Sequence, residues 1–178
     1  MGKNIVAFAA SSSSRSINHK LVTYAAGFVT KAGVKVLDLN DFELPLFSVD
    51  REAELGQPQP AHRFLGKISA SDGIIISFAE HNGCYSAAYK NIYDWASRIQ
   101  PKVYQDKPMV LLATSPGSRG GQSVLELASN QIPRFGGELI ASISVPSFPE
   151  NFDENNDTMT NAEISAEIQQ AVERLSSF

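Results

Sequence analysis

Five serines and one arginine crowd into nine residues, Ala10-Ser11-Ser12-Ser13-Ser14-Arg15-Ser16-Ile17-Asn18. An apolar run over residues 5–9 precedes them, and a segment with helical spacing begins near Asn18. The chemistry this permits is anion binding. Backbone N–H groups at a helix start have no intrahelical acceptor and carry partial positive charge. Serine hydroxyls add donors without bulk, and Arg15 either pairs with a phosphate or stays in solvent. A flexible serine-rich connector is the competing reading. The shortness of the run and the ordered patterns on both sides favour an anion-binding loop.

Two further stretches have related chemistry. Ala79-Glu80-His81-Asn82-Gly83-Cys84-Tyr85 and Ser115-Pro116-Gly117-Ser118-Arg119-Gly120-Gly121 each follow a strongly apolar run. Their small residues let backbone groups approach a flat ligand closely. Glu80 reads as a carboxylate at the edge of such a ligand or as an ordinary loop acid. Arg119 reads as a nucleotide contact or a surface charge, and Cys84 as a small packing residue or a redox-sensing thiol. His19, His62 and His81 have no partner in sequence, so no catalytic acid, base or metal site is assigned. No glycine lies between residues 3 and 26, and no GxxxxGK[ST] occurs, so neither a dinucleotide fingerprint nor a P-loop is present. One phosphate, plus a planar group gripped by two further loops, describes a mononucleotide such as FMN.

The elements that must position these loops alternate along the chain. Apolar runs predict strands at 5–9, 34–39, 73–78, 109–114 and 138–145. Helical spacing predicts helices at about 18–32, 61–70, 86–99, 122–135 and 162–175, with Gly33 as the first C-cap. Residues 40–60, with Pro45, Gly56, Pro58 and Pro60, read as loop, and 150–157 as a solvated turn. The runs at 73–78 and 109–114 are apolar almost throughout, as in parallel strands buried on both faces. The alternation predicts a doubly wound α/β sheet with right-handed crossovers and helices on both faces. Ligands of such sheets bind beyond the carboxyl ends of the strands, where all three loops emerge.

A chain of 178 residues, 43% hydrophobic and 19% charged, is expected to form one globular domain spanning 1–178. Its net charge of −4 supplies no basic field for nucleic acid. The single cysteine cannot form an internal disulfide, which fits a reducing compartment. No apolar run approaches the ~18 residues of a membrane span, and no signal-cleavage pattern follows Met1, so a cytoplasmic location is expected. Tyr85, Tyr89 and Tyr93 recur at helical spacing and read as core or a subunit interface rather than ligand contacts.

These residues together resemble the NADPH-dependent FMN reductase family. Its first-loop pattern, GSxRxxSxN, is matched at Ser11, Ser16 and Asn18, with Ala10 at the glycine and Ser13 at the arginine. Its second pattern, PEYNGSxPxxLKNxIDW, is matched at Glu80, Asn82, Gly83, Lys90, Asn91, Asp94 and Trp95, while His81 stands at the usual tyrosine.

The resemblance implies a flavodoxin-like three-layer sandwich, a five-stranded parallel sheet of order 2-1-3-4-5. It implies FMN as cofactor and NAD(P)H as co-substrate. The acceptor would be a small molecule: a quinone, an azo compound, free flavin or a metal ion. The assembly would be a homodimer or homotetramer. Carried over by position, Ser11, Ser13, Ser16, Ile17 and Asn18 would hold the FMN phosphate. Glu80, His81, Asn82 and Gly83 would border one side of the ring system, and Ser115 and Gly117 the other. Lys90, Asn91, Asp94 and Trp95 read as scaffold. An electron carrier of the flavodoxin type and a flavin-free binding domain share the expected fold, whereas a serine hydrolase would need a G-x-S-x-G elbow that is missing.

Overall fold

The computed structural model describes residues 2–30 and 32–178. Its elements, in chain order, begin with β1 (Lys3–Ala10), α1 (Ile17–Ala26), β2 (Ala32–Leu37), a 3-10 turn (Leu39–Phe42), α2 (Val49–Leu55) and α3 (Gln59–Ser69). Next come β3 (Gly73–Phe78), the short strands β4 (Glu80–His81) and β5 (Cys84–Tyr85), α4 (Ala87–Ile99), β6 (Lys107–Thr114) and α5 (Gln122–Gln131). A second 3-10 turn (Ile132–Phe135), β7 (Gly137–Val145), α6 (Phe148–Asn151), β8 (Phe152–Asp153), β9 (Thr158–Met159) and α7 (Ala162–Ser177) complete the chain.

Side chains of a strand point alternately to opposite faces, so a strand apolar at every position must be covered twice. Val6, Phe8 and Ala10 of β1 face one layer with Ile74, Ile76, Phe78, Met109 and Leu111. Ile5, Ala7 and Ala9 face the other with Ile75, Val110 and Leu112. Helices α3, α4 and α5 cover the first face through residues such as Phe64, Ile92 and Val124. Helices α1 and α7 cover the second through Leu21, Val22, Ile168 and Val172. The main sheet is wholly parallel, in the order β2-β1-β3-β6-β7. Counting its five strands alone, this is the expected 2-1-3-4-5. The order reverses between β1 and β3, so the loops after those strands flank the crevice where ligands of such sheets bind.

Several boundaries differ from expectation. Helix α1 ends at Ala26, with Gly27 as its C-cap, six residues short of the expected end; Lys31, inside the expected helix, lies outside the described residues. Phe28 and Val29 keep helical spacing because they pack against the second core, not because the helix continues. Gly33 is not a cap. It lies in β2 opposite Asn4, whose side-chain oxygen sits 3.0 Å from where a Cβ would stand. Residues 40–60 hold most of a 3-10 turn, all of α2 and the start of α3, because Ser48 caps α2 and Pro60 occupies the first turn of α3, where its missing N–H costs nothing. Pro133 ends α5 at Gln131 and turns the chain into a 3-10 segment. The expected solvated turn at 150–157 contains the end of α6 and all of β8, whose antiparallel partner β9 follows directly at 158–159.

Candidate functional site

The carboxyl ends of β1, β3 and β6 deliver three segments to one edge of the sheet. In the first, Ser11 is buried and its Oγ accepts the Ser13 N–H at 3.2 Å. Ser16 caps α1, its Oγ accepting the His19 N–H at 3.2 Å. Each hydroxyl acts as acceptor toward the backbone, so its own hydrogen remains free to be donated outward. The N–H groups of Ile17 and Asn18 have no acceptor among the described residues. Ser13 and Ser14 are exposed, and a cavity of about 100 Å³ is bounded by Ser11, Ser13, Ser14, His19 and Asp38. The Asp38 carboxylate is turned onto the Asn40 N–H and side-chain amide, at 2.9 and 2.8 Å. Ala10, where the family pattern has glycine, lies in β1 with a negative φ and is fully buried, so its Cβ is accommodated.

The second segment is a hairpin, not an irregular loop. Glu80 pairs with Tyr85 and His81 with Cys84, and the turn is Asn82-Gly83 with φ of 53° and 75°. Positive φ at both central residues marks a type I′ turn, which Asn-Gly favours above other pairs. Asn82 and Gly83 therefore have a turn role of their own. The tip is exposed: His81, Asn82, Gly83 and Cys84 all face solvent.

In the third segment Ser115 is half-buried and Gly117 exposed. The Gly117 carbonyl accepts from Ser147 N–H at 2.9 Å and the Ser115 carbonyl from Phe148 N–H at 3.1 Å, tying the loop to α6. Gly120 and Gly121 have φ of 56° and 73° and lead directly into α5. The Arg119 guanidinium donates to Ser123 Oγ at 2.8 Å, over the first turn of that helix.

Side chains cross-link the three segments in pairs. Ser86, the N-cap of α4, donates to the Ala10 carbonyl at 2.7 Å and so joins the hairpin exit to the end of β1. Asn18 is 3% exposed, and its amide bridges strands. Its Nδ2 donates to Thr114 O at 3.2 Å, while its Oδ1 accepts from Thr114 N–H at 3.1 Å and Ser77 Oγ at 2.7 Å. Glu80 Oε2 accepts the Val124 N–H of α5 at 3.0 Å. The site residues read from sequence thus sort into two groups. Ser11, Ser13, Ser16, Ile17, His81, Asn82, Gly83, Ser115 and Gly117 ring the open edge. The side chains of Asn18 and Glu80 are engaged in holding segments together. Ser77, Ser86, Thr114 and Val124 complete these links; of the four only Ser86, a serine directly before a helical run, carries a sequence signal, that of a cap.

Behind the hairpin, Tyr85, Tyr89 and Tyr93 form a seam along α4, with ring centroids 5.0 and 5.9 Å apart. Tyr89 and Tyr104 share a buried hydroxyl–hydroxyl hydrogen bond. Burial raises the Tyr85 phenol to about 12 and pushes Tyr89, Tyr93 and Tyr104 well above the ordinary tyrosine value. On the neighbouring face of α4, Asn91 and Trp95 bind the backbone of residues 44–47: Asn91 accepts from Phe47 N–H at 2.8 Å, and Trp95 donates to Pro45 O at 2.8 Å. Lys90 and Asp94 form an exposed i,i+4 ion pair. Among the described residues no group of three or more His, Cys, Asp or Glu could hold a metal ion, and no helix is long and apolar enough to cross a membrane.

A parallel sheet of order 2-1-3-4-5, with a hydroxyl-lined helix start, a hairpin and a glycine-rich segment at its carboxyl edge, defines the flavodoxin-like class. The family model described as NADPH-dependent FMN reductase matches residues 3–147, and the chain belongs to that family. An NADPH:quinone oxidoreductase of Arabidopsis thaliana is 36% identical over 112 residues, covering 61% of this chain and 57% of the plant protein. A NAD(P)H-dependent FMN reductase of Pseudomonas aeruginosa is 32% identical over 108 residues, covering 60% of this chain and 57% of that protein. The chain thus spans little more than half the length of these relatives. Among solved structures, FerB of Paracoccus denitrificans, a flavoenzyme NAD(P)H:(acceptor) oxidoreductase, superposes with a TM-score of 0.79 at 23% identity, covering 98% of this chain and 96% of FerB.

Proposed function

We propose that residues 1–178 act as one FMN-binding domain with NAD(P)H oxidoreductase activity toward a small-molecule acceptor of the quinone type. The observation that carries this is the convergence, at one sheet edge, of a hydroxyl-lined helix start, an exposed Asn-Gly hairpin tip and a glycine-rich segment. Bound FMN would supply the redox chemistry, accepting a hydride from the nicotinamide and passing two electrons to the acceptor. The chain's own task is binding and orientation. The freed hydroxyls of Ser11 and Ser16, the Ser13 hydroxyl and the open N–H groups of Ile17 and Asn18 would hold the phosphate. The positive end of α1 favours that charge in place of the family's arginine, with Arg15 exposed nearby.

Gly83 and Gly117 have no heavy atom within 4 Å of the position a Cβ would take, which leaves backbone open to a ring system on both sides. The relatives named as quinone reductases support the acceptor class. FMN titration of the purified chain, followed by NADPH and NADH oxidation with a benzoquinone, tests the reading. Flavin binding near one per chain and quinone-dependent oxidation are expected. A chain that takes up no FMN overturns it.

A further inference from the structure

We propose that Glu80 is a positioning residue that locks the hairpin to α5 and so sets the width of the slot between the second and third segments. This rests on the FMN reading above. The need for such a lock is local. A helix start leaves several N–H groups without acceptors, and a Ser, Thr, Asp or Asn at the N-cap ordinarily takes one of them. The N-cap of α5 is Gly121, which has no side chain to offer. Nor could a capping residue stand there without strain: φ is +73°, and a Cβ would lie 3.0 Å from that of Ala113. The cap therefore has to come from elsewhere in the fold.

Glu80 supplies it from 44 residues upstream, its Oε2 3.0 Å from the Val124 nitrogen. A carboxylate suits the partial positive charge of a helix N-terminus. Glu80 stands in β4 opposite Tyr85 of β5. The Tyr85 hydroxyl in turn donates to Gln131 Oε1, at the last residue of α5, at 3.3 Å. The hairpin is thus tied to both ends of one helix, and the Gly117–Gly121 segment is the direct lead-in to that helix. A plate held between hairpin and glycine segment would enter a preformed slot. Without the carboxylate, binding would also have to order the hairpin.

The test uses the full chain and the variants Glu80→Ala, Glu80→Gln and Glu80→Asp. Glu80→Ala is expected to weaken FMN binding about tenfold, the size of one lost charge-assisted hydrogen bond, and Glu80→Gln to recover it to within about threefold, because an amide oxygen still accepts from Val124. Hydrogen exchange of the Val124 amide in the flavin-free chain is expected to speed up in Glu80→Ala and to return toward wild type in Glu80→Gln.

Equal FMN affinity in wild type and Glu80→Ala, or a Glu80→Gln variant as weak as Glu80→Ala, overturns the positioning role. If the wild-type chain binds no FMN, it is the flavin reading that fails, and unchanged Val124 exchange in the variants would then overturn the clamp independently. Should Glu80→Ala not fold, Glu80→Asp takes its place. Its shorter side chain falls short of Val124, and wild-type exchange and affinity in that variant count against the proposal.

Discussion

A hydroxyl that accepts a hydrogen bond from its own backbone still has a proton to give, and Ser11 and Ser16 are both in that state. Ser16 therefore carries one observed load, the cap of α1, and one proposed load, a hydroxyl proton offered to the FMN phosphate. Ser16→Ala is expected to cost ~1 kcal/mol of stability through the lost cap and a further ~1–2 kcal/mol of FMN affinity through the lost donor. Thermal melts read the first and FMN titration the second. A melt that drops while FMN affinity stays whole would assign Ser16 to the helix alone. At this scale the residue types at the site were legible, but their commitments were not. Asn18 reads from sequence as a phosphate ligand, yet its buried amide joins α1 to β3 and β6. Nothing in a linear string says which side chains spend their polar atoms on residues 59 or 96 positions away.

Among the elements, the hairpin was legible in principle. Asn82-Gly83 is the strongest short-range hairpin signal, but the flanking pairs are too short to show strand alternation. The glycine segment reads as small in sequence, but the reason differs along its length. Gly120 is buried with φ +56°, and a Cβ there would meet Ser144 Oγ and lie 2.8 Å from both Pro146 N and Val145 C. Gly117 meets nothing within 4 Å. Gly120→Ala is expected to lose more than ~2 kcal/mol, since steric overlap adds to an unfavourable backbone region. Gly117→Ala is expected to change the melting temperature little. Equal melts for the two variants would contradict the packing described for this segment.

Over the whole molecule, the tyrosine seam, buried at Tyr89 and Tyr104 and half-buried at Tyr85 and Tyr93, packs α4, the hairpin and the 132–135 turn together, and its stability depends on pH. Burial raises the folded-state pKa of Tyr85 to about 12, against an unfolded value of ~10. Tyr89, Tyr93 and Tyr104 shift in the same direction. The folded chain keeps these protons where the unfolded chain loses them, so their contribution is fully present below the unfolded pKa and declines as pH rises toward the folded one. Stability is expected to fall steeply between about pH 10 and 12, with the tyrosinate absorbance of these four residues, read in a Tyr24→Phe variant, appearing together with unfolding. Tyrosinate formation in that variant well before unfolding would contradict the packing of the seam.

By itself, the sequence determined the layered α/β architecture, the sheet order through its family resemblance, and the three segments that meet at one edge of the sheet. These rest on short-range signals: strand runs apolar at every position, helical spacing between them, and small residues where chains turn. Only the tertiary structure decided that α1 stops at Ala26, that residues 40–60 fold, and that Asn18, Glu80 and Ser86 weld the three segments together. Those outcomes depend on which distant N–H, C=O or side chain completes each buried polar group, and that is settled when the layers pack.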